Sequence, residues 1–306
     1  MIRQALLWAS TNPFMSERLP RYGFVRRATR RFMPGETLDD ALAECRRLMD
    51  GGMATTVTLL GENVETGAEA DAVVEHYLGA LETVRAGGLD TEISVKLTQL
   101  GLDRGVEDTT ARLERVVAAA DAGSIVWIDM EHSGHVDRTL DVFRALRARH
   151  ENVGVCLQSY LRRTSSDLET LLPLEPAIRL VKGAYREPPE VAFAKKSEVD
   201  QGYVRLTGAL LRARAAGRAG RPVIGTHDPR MIGEANRMAH ELSLPKDRYE
   251  IAMLYGIRTA EQERLVRTGH SVRVLISYGS HWFPWYMRRL AERPANLWFV
   301  LKQIGG

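Results

Sequence analysis

The chain has 306 residues, 44% of them hydrophobic and 26% charged, with a formal net charge of +3. This is an ordinary soluble globular composition, long enough to bury roughly 75% of its unfolded surface in one large domain or two small ones. The near-balance of charge argues against a nucleic-acid binder, and the distant pair Cys45 and Cys156 argues against a disulfide framework or a cysteine-rich zinc site.

The N-terminus lacks the long apolar stretch of a secretory signal, and no run of 18 apolar residues occurs. A cytoplasmic protein is expected. Arg26, Arg27, Arg30 and Arg31 form the one basic cluster, read as a solvated helix face. Residues 1–52 read as a helical arm. Within it, "ETLDDALAECRRLMDGG" carries apolar residues at helical spacing, with Thr37 as N-cap and Gly51-Gly52 as the stop.

A different rhythm follows. Short β-branched runs begin at Thr55, Glu92, Ile125, Val153, Ala177, Pro222, Tyr249 and Val272, spaced by 23 to 45 residues. Amphipathic stretches separate them, such as the stripe Val73, Val74, Tyr77, Leu78, Leu81 and Val84. Each gap holds a crossover helix, and alternating strand and helix implies a parallel sheet under helical cover. Eight such units in about 250 residues fit a (β/α)8 TIM-type barrel. An open doubly wound sheet would want G-x-G-x-x-G after its first strand, and "LLGENVETG" stands there instead. The expected division is 1–52 arm, 53–293 barrel and 294–306 C-terminal helix, within a single domain.

In such barrels the reactive groups sit at the carboxyl ends of the strands. Those ends are unusually polar here. The second strand ends at Lys96, the third at Asp129 and Glu131, and the fourth at Gln158 and Tyr160. The fifth, "AIRLVKGAYR", supplies Arg179, Lys182 and Tyr185, and the sixth Thr226, His227 and Asp228. The seventh ends at Leu254 and Tyr255, the eighth at Tyr278, Ser280 and His281.

Each residue alone has a structural alternative, for instance an ion pair of Lys96 with Asp129. Together they describe a cationic, hydrogen-bonding pocket for an anionic, planar ligand. In a regular strand Arg179 and Lys182 point to opposite faces, so both reach one ligand only if the chain leaves ideal geometry near Gly183. Beyond the last strand, Arg288 and Arg289 stand together with Glu292 one turn on from Arg288, in a segment rich in aromatic residues.

"ISVKL", "RLVKGAY", "GTHD", "YGSH" and "RRLAE" resemble, in order, the motifs of the proline dehydrogenase family across residues 50 to 293. The resemblance implies oxidation of L-proline to 1-pyrroline-5-carboxylate on non-covalently bound FAD, with electrons passed to a membrane quinone. It also implies peripheral contact with the inner face of the cell membrane. Arg179, Lys182, Gly183, Ala184, Met130, Gln158, Thr226 and His227 would contact FAD, with Arg179 near its reactive nitrogen.

Lys96, Arg288 and Arg289 would bind the substrate carboxylate, Asp129 would hold these cations, and Glu292 would pair with the arginines. Tyr185, Leu254 and Tyr278 would pack the proline ring, and the helix bearing the arginines would cover the barrel mouth. Two positions depart from the common pattern: Arg186, where Trp is frequent, and Asp228, where Asn is frequent. Two other readings remain open from the residues alone. One is a Schiff-base lyase using Lys96 or Lys182; the other is a non-catalytic barrel that binds an anionic metabolite.

Overall fold

The computed structural model describes residues 29–61, 64–185, 187–283 and 286–287. The first helix, α1 (Leu38–Asp50), is fixed at both ends by its sequence. Thr37 accepts from the Asp40 N–H, and Asp40 answers the Thr37 N–H in a reciprocal capping box. At the other end Gly51 closes the helix and Gly52 turns the chain at φ +77°, a conformation that favours glycine.

Eight strands follow: β1 (Ala54–Leu59), β2 (Thr91–Val95), β3 (Val126–Ile128), β4 (Val153–Gln158), β5 (Ala177–Val181), β6 (Arg221–Gly225), β7 (Glu250–Leu254) and β8 (Ser271–Tyr278). Between them run α2 (Gly67–Ala86), α3 (Val106–Ala119), α4 (Val136–Arg147), α5 (Thr164–Leu171), α6 (Lys196–Ala215), α7 (Pro229–Glu241) and α8 (Thr259–Arg267). Every strand begins within one residue of its expected position. All pairings are parallel, and β8 closes on β1 from Ala54↔Arg273 to Leu59↔Tyr278. The fold is the expected closed barrel.

Alternation along the strands divides the side chains between two environments. Outward positions such as Val57, Ile93, Ile128, Val155, Ile178, Ile224, Ile251 and Val274 are buried and join the main apolar core with the helices. Inward positions are largely polar or charged: Thr56, Glu92, Asp129, Arg179, Glu250 and Arg273. On α2, Val74, Tyr77, Leu81 and Val84 are buried as expected, while Val73 and Leu78 lie at the margin.

After β8, Trp282, Phe283 and Tyr286 are buried, and the Trp282 indole N–H donates to Glu36 Oε1 at 3.0 Å. The aromatic segment is therefore packed on the arm, as its composition suggested. Residues 1–28, Arg186, Arg288, Arg289, Glu292 and the expected C-terminal helix lie outside the described residues.

Gly154 on β4 makes room for Trp127, the one large aromatic side chain in the lumen among the described residues. A methyl group there would lie 2.8 Å from carbons of the Trp127 ring and 2.9 Å from Ile125 Cγ2. Overpacking of this kind costs about 1–3 kcal/mol. Gly154→Ala is expected to lower the thermal midpoint accordingly. An unchanged midpoint would show that the indole has slack.

Candidate active site

Lys96 follows β2 directly, Asp129 follows β3, and Arg179 is the central residue of β5. Parity turns all three into the lumen. Arg179 Nη2 donates to Asp129 Oδ1 at 2.5 Å and to Ser94 Oγ at 2.8 Å. Lys96 Nζ donates to Asp129 Oδ2 at 3.2 Å, and Ser94 Oγ donates to Oδ1 at 2.8 Å. The carboxylate is held from both sides, and Arg179 is only 6% exposed.

Burial by itself would raise the Asp129 pKa; the charges of Lys96 and Arg179 outweigh it and hold the carboxyl below its ordinary value. Burial likewise works against the Arg179 cation, and the Asp129 charge more than restores it. Two cations share one anion here, which leaves one positive charge over.

Beside this cluster, Gln158 Nε2 donates to the Met130 and Glu131 carbonyls at 2.7 and 3.1 Å, and its buried Oε1 has no partner among the described residues. Met130 contributes its carbonyl to this contact while its side chain joins the core. The Glu131 carboxylate is occupied by the Thr98 N–H and hydroxyl at 3.0 and 2.6 Å.

Lys182 goes elsewhere. β5 ends at Val181, and Lys182 Nζ reaches Asp200 Oδ1 on α6 at 2.5 Å and Asp228 Oδ2 at 3.4 Å. The opposite-face geometry of a regular strand thus persists to its end, and Arg179 and Lys182 are not brought together. Asp228 is also the N-cap of α7, its Oδ1 accepting from the Arg230 N–H at 3.1 Å.

Thr226 is buried, with its hydroxyl accepting from the Asp228 N–H at 3.1 Å, and His227 Nε2 accepts from the Leu254 N–H at 3.3 Å. Gly183 takes φ +113°, and a Cβ there would meet the Tyr160 ring at 2.2 Å, so only glycine lets the chain pass. Ala184 is exposed and Tyr185 half-buried just beyond.

Tyr278 corrects the expectation made for it. It faces outward, with its hydroxyl 2.7 Å from His76 Nε2 on α2, and is buried in the apolar core rather than set against the lumen. The inward positions of β8 are Arg273, Leu275 and Ser277. Leu275 pairs in register with Leu254, and both are partly open.

A second charged group was missed from sequence because it stands at the opposite end of the strands. Glu92 accepts from Arg221 Nη2 at 2.5 and 2.7 Å and from the Trp127 indole N–H at 2.7 Å. Arg273 Nε donates to Glu250 Oε2 at 3.0 Å and lies 3.4 Å from Glu92 Oε2. These pairs close the barrel floor.

Fold and site together define a (β/α)8 barrel with its surplus charge at the carboxyl ends of the strands, where enzymes of this architecture carry their chemistry. The chain belongs to the proline dehydrogenase family: the family model described as Proline dehydrogenase matches residues 41–302. It is similar to Proline dehydrogenase 1 of Bacillus subtilis subsp. natto, with 35% identity over 99% of each chain. It is also similar to Proline dehydrogenase of Deinococcus radiodurans, with 36% identity over 99% of this chain and 97% of that one.

A crystal structure of proline utilization A from Bdellovibrio bacteriovorus, inactivated by N-propargylglycine, shares the fold. Its TM-score is 0.83 at 24% identity, covering 95% of this chain. This chain spans 36% of that longer one.

The depressed Asp129 pKa makes stability depend on pH. The unfolded chain binds the proton more readily, so the stabilisation is complete above the unfolded value near 4 and is lost as pH falls through the folded value. Asp129→Asn strands two cations and is expected to lower stability at pH 7 by about 3 kcal/mol. Urea unfolding at stepped pH should also show a shallower acid decline than in the wild type. A parallel decline would assign the acid sensitivity to other carboxylates.

Proposed function

We propose that this chain oxidises L-proline to 1-pyrroline-5-carboxylate with non-covalently bound FAD and passes the electrons to a membrane quinone. The observation that carries the reading is the unbalanced positive charge around Asp129, a place for an anionic substrate group beside a fixed guanidinium. FAD, when bound, supplies the acceptor for the hydride that leaves the proline ring. The site suits such a group: the unpartnered Gln158 Oε1 is a buried acceptor, and an isoalloxazine ring offers an imide N–H. The glycine at 183 brings bare backbone to the same mouth.

In this reading Gln158, the Met130 segment, Arg179, Gly183, Ala184, Thr226 and His227 hold the flavin, and Lys182, turned to Asp200 and Asp228, would meet a different part of the cofactor from Arg179. Lys96, with Arg288 and Arg289, takes the substrate carboxylate, and Glu292 steadies the arginines. Asp129 fixes the spacing of Lys96 and Arg179, so that neither must reorganise when charge develops. Leu254 and Leu275 offer an aliphatic wall to the ring, together with Tyr185; Tyr278 has no part in it. A lyase is less well supported, because Lys96 and Lys182 each already face a carboxylate and neither is presented as a free nucleophile. Peripheral membrane contact accompanies the quinone reading; among the described residues no helix is long and apolar enough to cross a membrane.

Purified protein is expected to be yellow, to release free FAD into the supernatant on denaturation, and to bleach anaerobically with proline. A colourless protein would overturn the reading, and colour retained by the precipitated chain would overturn its non-covalent part.

Lys96→Met removes one charge-assisted bond to the substrate, worth roughly 1.5–3 kcal/mol. Proline binding should weaken by about ten- to a hundred-fold while flavin content holds. Unchanged proline affinity would leave Lys96 as a purely structural partner of Asp129.

A further inference from the structure

Trp127 stands between the two charge clusters and touches both. Its indole is fully buried, its N–H donates to Glu92 Oε2 at 2.7 Å, and its ring centroid lies 5.1 Å from Arg179 Cζ and 5.4 Å from Arg221 Cζ. Arg221 binds both oxygens of the same Glu92, so ring, floor arginine and floor carboxylate form a closed set of contacts. The bare backbone of Gly154 admits the ring.

The hydrogen bonds from Arg179 to Asp129 and Ser94 both run through one nitrogen, Nη2. Cys156, its neighbour in register, offers only a weak sulfur acceptor. A planar group tied at one nitrogen can still pivot about that point. A flat aromatic face on an anchored ring removes the pivot, and a desolvated guanidinium is attracted to such a face.

We infer that Trp127 is a positioning residue for the reaction: anchored by Glu92, it fixes the plane in which Arg179 meets Asp129 and faces the mouth. This rests on the reading of Arg179 given under the proposed function.

The test uses full-length protein with Trp127→Leu and Trp127→Phe. The leucine variant should lower kcat by about ten- to thirty-fold, the worth of a desolvated cation–π contact, with KM changed less than kcat. Its Asp129 carboxyl, followed by carbon-13 NMR with Asp129→Asn as the assignment control, should titrate closer to an ordinary carboxylate. The phenylalanine variant keeps a ring face without the N–H. It should recover part of the loss in kcat and most of the titration shift.

Should the leucine variant not fold, Trp127→Met takes its place under the same criteria. A folded variant with wild-type kcat, a loss confined to KM, or an unmoved Asp129 titration would each overturn the inference. A wild-type protein without flavin would overturn the reading of function instead, leaving the cofactor-independent titration to decide Trp127.

Discussion

A guanidinium inside a closed barrel cannot be left to solvent, and Arg179 is held there by Asp129. Desolvating either ion alone costs several kcal/mol, so each must be matched in place. The match ties β5 to β3, while Lys96 ties β2 to the same carboxylate. Three strands are thus referred to a single anion. Strand parity can aim these side chains inward, but it cannot set the distances between their heads. Those depend on one carboxylate with two oxygens, each taken by a different cation.

The same requirement explains why the barrel has a charged floor. Glu92 and Glu250 face Arg221 and Arg273 at the amino ends of the strands, and the Arg273 pKa is raised as the acids outweigh its burial. Replacing such a set by aliphatic side chains can be neutral or even stabilising in other proteins, so stability alone does not account for it. Directional bonds fix Trp127 here in a way that aliphatic packing would not. The indole carries that rigidity upward to Arg179.

Much of the barrel is legible in the sequence because short strand runs rich in β-branched residues alternate with amphipathic stretches at a spacing that fits one helix each. The cap of α1 is equally local, since Thr37 and Asp40 lie three residues apart. The candidate site is legible in part. Lys96 and Asp129 directly follow their strands and Arg179 lies mid-strand on the same inward parity, which is what brings the three side chains together.

The place of Tyr278 follows from strand parity and not from the chemistry of its side chain. Counting from the inward-facing Arg273, a residue five places on must point outward. The same rule turns Lys182, three places on from Arg179, to the opposite face, as a regular strand requires. The floor stands at the amino ends of the strands, where single charges within "EISV" and "VRVL" mark inward positions. The plane of Trp127 and the turn at Gly183 against Tyr160 depend on contacts between distant segments, which no local pattern encodes.

The two clusters differ in their balance, and this gives the lumen a direction. Among the floor residues that face inward, Glu92 and Glu250 cancel Arg221 and Arg273. At the mouth, Asp129 cancels only one of Lys96 and Arg179. The floor acids are engaged by their own arginines, with the exposed Asp90 also on Arg273, and Trp127 separates the layers with a neutral ring. An anion entering from the carboxyl ends therefore meets two cations that share one carboxylate at the mouth, with paired charges beneath them. In the proposed reading it would be held at the level of Lys96 and Asp129, beside the aliphatic edge of Leu254 and Leu275. A small amino acid with a carboxylate at one end and an apolar ring at the other suits both surfaces at once.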